Sequence, residues 1–345
     1  MLKASYCRYF LAFKKPATTS RTTMRVKETY YVKVWDTSNP SRAGIGECAL
    51  FRGLSADDIP DYEQQLAQVC RYIHAINVAD IPYSSMRFGL ESALSQLNTV
   101  QTTYPEPITI NGLIWMGTAE EMTARVKEKI DSGFRCLKLK IGGIDWNREL
   151  DIIKAIREQF TPEQLELRLD ANEAFTPEVA HQRLETLASY KIHSIEQPIK
   201  RGQLHDLAQL CKASPIPIAL DEELIGVTPT ALKQKLLATA KPQYIILKPS
   251  LCGGFNEADE WIEIAQSLGI GWWATSALES NVGLDAIARW VSKYNPSMPQ
   301  GLGTGQLYRN NVPSPLVING EKLGYDSSAK WDYKDLAFVD PHHTK

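Results

Sequence analysis

Apolar and polar positions alternate along Met24–Trp35, with Met24, Val26, Tyr30, Val32 and Val34 on one parity. Period-two alternation suits a strand with one face on a core and the other toward solvent. The opening Met1–Arg8 alternates in the same way. Two stretches, 56–78 and 84–102, instead repeat apolar residues at three- and four-residue steps, which is helix spacing. Residues 1–105 therefore read as a small α+β domain, completed by 311–345. From Ile108 the texture changes to short apolar strands separated by amphipathic helices. The predicted strands are 108–115, 136–141, 165–171, 193–197, 216–221, 244–249, 271–276 and 301–305. Helix starts are marked by Thr118 before Ala119-Glu120-Glu121 and by Thr176-Pro177-Glu178. Eight strands alternating with seven helices predict a (β/α) barrel over 106–310. A doubly wound sheet is the alternative, but no GxGxxG follows an early strand.

The chain has 345 residues, 43% of them hydrophobic, with 38 Lys+Arg against 40 Asp+Glu. That composition supports a large core, and no basic run offers a surface for nucleic acid or anionic lipid. No apolar stretch approaches the ~20 residues that span a bilayer. The start lacks the apolar segment of a secretory leader, so a cytoplasmic protein is expected. Cys7, Cys48, Cys70, Cys136, Cys211 and Cys252 form no CxxC pair and read as small buried hydrophobes in a reducing compartment.

Chemistry enters at the strand ends. Lys140, Asp170, Glu196, Asp221 and Lys248 each close an apolar strand, 25 to 30 residues apart. Ends of successive barrel strands converge on one face, so these five form a ring around a common mouth. Three carboxylates at close quarters repel one another unless a cation intervenes. Asp170, Glu196 and Asp221, an all-oxygen set without His or Cys, point to Mg²⁺ or Mn²⁺ rather than zinc. The competing reading is a set of barrel-top ion pairs. Period two puts Lys138 and Lys140 together on the inward face of their strand, away from Leu137, Leu139 and Ile141. A lysine that is desolvated beside another ammonium loses affinity for its proton and can act as a base. Lys248 faces the cluster from the other side.

Lys138-x-Lys140, Asp170-Ala171-Asn172, Glu196-Gln197-Pro198, Asp221-Glu222 and Lys248-Pro249 resemble, in order and spacing, the enolase superfamily, muconate-lactonising subgroup. Gly44-Ile45-Gly46-Glu47-Cys48, Thr275–Ser280 and Gly301–Gly305 add to the resemblance. It implies an α/β fold, a modified (β/α)7β TIM-type barrel with an N-terminal α+β capping domain. It also implies a small-molecule carboxylate substrate and Mg²⁺ held by Asp170, Glu196 and Asp221. Lys140 would remove the proton alpha to the carboxylate, and loss of a β-hydroxyl would aromatise a ring. Lys248 would stay cationic against the intermediate and Lys138 would tune Lys140. Arg168 and Asn172 would orient the cluster or a carboxylate. Ser276, Gly303 and Thr304 would lie near the substrate's tail, with the loops Lys14–Met24 and Phe51–Ser55 contributing specificity. Racemisation of N-succinylamino acids, dipeptide epimerisation and muconate cycloisomerisation are the alternatives on the same scaffold. Subgroup epimerases carry an acidic pair after the eighth strand to hold an ammonium. Gly305–Asn310 has no acid there, which argues against an amino-acid or dipeptide substrate.

A Schiff-base aldolase would leave the carboxylates unexplained, and a non-catalytic binding protein would not need every one of these positions filled. Smaller signals are Trp272-Trp273, at least one of which should be packing, and Gly253-Gly254, a helix start that could take an anion. His342-His343 has no third ligand in view and reads as a solvated tail.

Overall fold

The computed structural model describes residues 1–18, 23–99 and 104–341; His342-His343 and Thr19–Thr22 lie outside them, and the rest of the predicted Lys14–Met24 loop is strand, Ala17 pairing with Met24 and Thr18 with Thr23. Strands β1 (Leu2–Thr18), β2 (Thr23–Asp36) and β3 (Asn39–Cys48) form an antiparallel sheet in that order. One face packs Tyr6, Tyr30, Val32 and Val34 against helices α1 (Tyr62–Arg71) and α2 (Ser84–Asn98). The other places Cys7, Tyr31 and Ile45 against Val282, Val312 and Leu336. Both faces are thus buried along the middle of the sheet. The glycines of β3 exist for closeness: a Cβ at Gly46 would lie 1.8 Å from the carbonyl oxygen of Gly89 on α2.

The predicted first barrel strand divides in two. β4 (Ile108–Thr109) pairs antiparallel with the last strand of the chain, whereas β5 (Gly112–Ile114) joins the barrel sheet. After α3 (Ala119–Asp131) the alternation is regular: β6 (Cys136–Lys140), α4 (Trp146–Gln159), β7 (Glu166–Asp170), α5 (Pro177–Leu187) and β8 (Ser194–Glu196). It continues as α6 (Leu204–Ala213), β9 (Ile218–Leu220), α7 (Thr230–Ala240), β10 (Tyr244–Leu247) and the single turn α8 (Pro249–Cys252). It ends with α9 (Phe255–Ser267), β11 (Gly271–Ala274) and α10 (Asn281–Ser292). The seven parallel strands run in the order β11-β10-β9-β8-β7-β6-β5. The hairpin of β12 (Leu316–Asn319) and β13 (Lys322–Tyr325) covers β4.

The predicted eighth strand, 301–305, is not a strand. Gln300 bridges Ile110 and Gly301 bridges Thr275, closing the ring between β11 and the first strand, and Gly303–Gln306 then coils into a 3₁₀ turn. A run with glycine at every second position has little strand preference, and only Leu302 and Thr304 between those glycines bring side chains to pack. Trp272 and Trp273 both serve packing: Trp273 stacks under Arg168 and beside Tyr244, while Trp272 meets Trp290 and Tyr294.

Two glutamates of the N-terminal sheet domain fix it to barrel helices. Glu91 on α2 accepts the backbone N–H of Phe255 at 2.5 Å, and Glu47 on β3 accepts those of Ser280 and Gly283 at 2.9 and 3.0 Å. Each carboxylate sits at the head of a helix, α9 or α10, where unpaired N–H groups and the helix dipole favour negative charge. The helix start at Gly253-Gly254, which could take an anion, is met instead by the protein's own Glu91 carboxyl. The chain's end returns to this domain, Val339 pairing with Tyr6 on β1. All six cysteines are buried thiols, and no helix among the described residues is long and apolar enough to cross a membrane.

Candidate active site

The register of β6, β7 and β8 aligns Lys140, Asp170 and Glu196 in one row across three neighbouring strands. All five residues of β6 are buried, and both its lysines enter the barrel because the outward face belongs to aliphatic packing under the helices. Asp221 follows β9 directly and Lys248 follows β10. The five strand-end residues thus meet at one mouth. It opens into a cavity of about 330 Å³ whose wall includes Lys138, Lys140, Asp170, Asn172, Lys248 and Trp115.

The contacts inside are ionic. Lys138 Nζ lies 2.7 Å from Glu196 Oε2 and 3.1 Å from Asp170 Oδ2. Lys140 Nζ donates to Asp170 Oδ2 at 2.9 Å and to Asn172 Oδ1 at 2.5 Å. Lys248 pairs with Asp221 from the opposite side. Burial opposes ionisation of Asp170, but the Lys138 and Lys140 ammonium groups outweigh it and hold that carboxyl well below its ordinary range. Glu196 moves the other way: burial, then the charge of Asp170, push its carboxyl up. Burial also raises Asp221, against the pull of Lys248. The expectation that crowding would push a lysine toward neutrality does not hold at Lys138. Burial lowers its proton affinity, yet Asp170 and Glu196 more than compensate and keep it charged. Lys248 is raised likewise, Asp221 and Glu196 overcoming its burial.

The remaining predicted residues divide. Asn172 belongs to the site, bonding Lys140 through Oδ1 and Glu222 Oε1 through Nδ2. Arg168 does not reach the mouth. Its guanidinium is taken by Glu166 Oε1 at 2.6 Å, by the Pro299 carbonyl at 2.9 Å and by the face of Trp273. Ser276, Gly303 and Thr304 line the cavity, as do Phe51, Arg52, Gly53 and Leu54. Arg52 is braced by Glu28 and Asp58, each at 2.7 Å, which steadies that loop.

Sequence reasoning includes Gln197 in the Glu196-Gln197-Pro198 motif without a role and does not mark Trp115. Gln197 Oε1 accepts the backbone N–H groups of Asp221 and Glu223, so its side chain sets where Asp221 stands. Asn172, Glu173 and Gln197 all hold positive φ, at 43°, 66° and 35°. Non-glycine residues in that region carry strain that tends to collect at functional sites. Trp115 lies under the Lys140 ammonium, 5.9 Å from Nζ to ring centre; nothing in its local pattern marks it apart from a core aromatic.

Residues 121–321 match the family described as Enolase C-terminal domain-like. The o-succinylbenzoate synthase of Desulfotalea psychrophila is 43% identical over 94% of this chain and 99% of its own length. The chain belongs to the enolase superfamily. A crystal structure of MenC from Desulfotalea psychrophila LSv54 superposes with a TM-score of 0.82 at 40% identity, covering 94% of this chain and 99% of that one. The superfamily fold extends to a dipeptide epimerase from Enterococcus faecalis V583, complexed with Mg and the dipeptide L-Leu-L-Tyr. That match has a TM-score of 0.80 at 20% identity over 94% of this chain and 97% of the other.

A divalent cation is the group to test against this superfamily member's own atoms. Among the described residues no three acidic, histidine or cysteine side chains close around a common point as they stand, because lysine ammonium groups lie between the carboxylates. The donor chemistry nevertheless fits. Asp170, Glu196 and Asp221 supply only oxygen, and Glu196 Oε1 is buried without a hydrogen-bond partner. Two of the three carboxyls are pushed up by burial. A buried acceptor left unmet is costly, and a hard cation satisfies it.

Proposed function

We propose that this protein dehydrates 2-succinyl-6-hydroxy-2,4-cyclohexadiene-1-carboxylate to 2-succinylbenzoate, the aromatising step of menaquinone biosynthesis, with Mg²⁺ as cofactor. The observation that carries the reading is the site's polarity of arrangement. Lys138 and Lys140 stand on one side of the carboxylates Asp170, Glu196 and Asp221, and Lys248 stands on the other, at the mouth of a superfamily barrel. Similarity to the Desulfotalea o-succinylbenzoate synthase along 94% of the chain supports the choice of substrate.

Asp170, Glu196 and Asp221 would hold the ion. Bound there, the ion would supply Lewis-acid polarisation of the substrate carboxylate, which acidifies the neighbouring C–H. Lys138 is held between Asp170 and Glu196 as an ammonium, and Lys140, at the end of β6 and bonded to Asn172, takes the α-proton. It then delivers that proton to the departing β-hydroxyl, which leaves as water as the ring becomes aromatic. Lys248, also held cationic, sits opposite and attracts the electron-rich face of the intermediate. Asn172 keeps Lys140 aimed through their 2.5 Å hydrogen bond.

The experiment follows the ultraviolet absorbance of the diene with purified protein and Mg²⁺, with and without EDTA. Loss of diene that stops on chelation supports the reading. Persistence of the diene with folded protein overturns it, and α-proton exchange on N-succinylamino acids in deuterium oxide then identifies the alternative.

A further inference from the structure

The cavity's far wall, formed where the first strand meets β11 and the Gly301–Gly305 run, lies across the barrel from the carboxylates on β7, β8 and β9. A substrate whose reacting carboxylate lies at Asp170, Glu196 and Asp221 extends its remaining atoms toward that wall. Its hydroxyls are already engaged. Ser276 Oγ donates its one hydrogen to Glu279 Oε2 at 2.6 Å and accepts from the backbone N–H groups of Leu278 and Glu279 at 3.0 and 3.2 Å. Thr304 Oγ1 donates to Ser276 Oγ at 2.7 Å. A hydroxyl carries one hydrogen, so neither residue has an O–H left for a ligand's oxygen. Both shape the wall and neither is the donor for a carbonyl or carboxylate.

Asn111 differs. It lines the same cavity beside Gly301, Gly303 and Thr304, it is only 3% exposed, and its Oδ1 is buried without a hydrogen-bond partner. Its backbone is pinned by the N–H donated to the Gln300 carbonyl at 2.9 Å, so the side chain cannot drift from the wall. The torsion that turns its amide is soft and roughly two-fold, and with Oδ1 unheld the amide can present Nδ2–H to the cavity.

We propose that Asn111 is the side chain that binds the substrate's tail, donating Nδ2–H to a carbonyl or carboxylate oxygen of its succinyl group. This rests on the reading of the substrate given above, and it moves tail recognition from Ser276 and Thr304 to the first strand. The test uses the full-length protein with Mg²⁺ and the variants Asn111→Asp and Asn111→Ser, their folding checked by thermal melting. Asp keeps the shape and replaces the donor with a like charge; Ser keeps a small donor and shortens the reach.

Asn111→Asp is expected to raise KM for the diene at least 10-fold with kcat within about 3-fold, and to weaken inhibition by 2-succinylbenzoate to the same degree. Inhibition by benzoate, which has no tail, stays as in the wild type, and Asn111→Ser falls between. Unchanged KM and 2-succinylbenzoate inhibition in both folded variants overturn the proposal. So does an equal weakening of benzoate, which would put the amide at the reacting end. If the wild type fails to consume the diene, the substrate reading falls. Calorimetric binding of 2-succinylbenzoate to wild type and Asn111→Asp then decides this proposal, which falls if the wild type does not bind or if both bind alike.

Discussion

Lys140 and Asp170 face each other in register across β6 and β7, and Lys140 Nζ lies 2.9 Å from Asp170 Oδ2. The ammonium therefore occupies an oxygen assigned above to the metal. One side chain serves two competing purposes, proton transfer and neutralisation of the carboxylates. Removing it separates them. Lys140→Met should lower kcat for dehydration by roughly 10³-fold, in the range of lost acid–base catalysis, while Mg²⁺ binds as tightly as in the wild type or more tightly. Calorimetric titration of Mg²⁺ beside the steady-state rate checks both. A variant that keeps full turnover, or one that loses Mg²⁺ binding, contradicts the assignment.

Glu196→Gln tests the carboxylate set. Gln is close in shape and still offers an oxygen to Lys138, now 2.7 Å from Glu196 Oε2, but it brings no charge. Because burial already disfavours ionisation of Glu196, the metal-free variant should melt within a few degrees of the wild type. The rise in melting temperature that Mg²⁺ confers through linkage should shrink or vanish. An undiminished rise would remove Glu196 from the ligand set.

The sequence revealed most about the mouth of the barrel, because strand ends impose a rhythm on charge that a core cannot imitate. Lys138, Lys140, Asp170, Glu196, Asp221 and Lys248 are all legible that way. Arg168 shows the limit of the method. It shares the inward parity of Asp170 but sits one layer deeper, where Glu166 and the Pro299 carbonyl, remote in sequence, claim its guanidinium. Lys138 stays charged for a related reason: the Lys138–Lys140 pair is visible along one strand, but the carboxylates Asp170 and Glu196 that hold Lys138 come from neighbouring strands. Gln197, Asn111 and the hydroxyl chain from Thr304 to Glu279 depend on contacts between segments that no local pattern reports. The glycine run at 301–305 has strand-like length, but among the described residues the barrel closes there through single bridges at Gly301 and at the preceding Gln300.

Glu91 should make stability depend on pH. Burial, opposed by the N–H of Phe255 and by Arg87, pushes its carboxyl up to about 7, against an ordinary glutamate near 4.3. Between those values the folded chain binds more protons than the unfolded one, so stability falls as pH rises through that window. The contribution lost by pH 8 is about 3 kcal/mol. Glu91→Gln keeps an acceptor for Phe255 and has no proton to lose. Urea midpoints from pH 5 to 8 should decline less steeply in the variant; parallel declines would refute the role.

Glu47 and Lys27 form an unequal pair, and their difference can be measured. Both are buried, and burial lowers the proton affinity of Lys27, whose Nζ has no hydrogen-bond partner. Glu47 has four donors: Thr29 Oγ1 at 2.8 Å, Ser280 Oγ at 2.6 Å, and the N–H groups of Ser280 and Gly283 at the head of α10. Deleting the carboxylate leaves those donors unmet and removes the larger of the two charges, Glu47 and Glu279, that offset the burial of Lys27, so Glu47→Ala should cost about 3–5 kcal/mol. Burial pushes the Glu47 carboxyl up, opposed by Lys27 and then by the Ser280 donors; deleting the ammonium leaves a carboxyl that keeps those donors and can take up a proton, so Lys27→Met should cost less than Glu47→Ala. In the double variant the buried charge is gone, and the loss should be smaller than for Glu47→Ala alone. Denaturant midpoints of the three variants supply the cycle. Equal losses for the two single variants would mean that direct pairing, rather than the helix terminus, holds Glu47 in place.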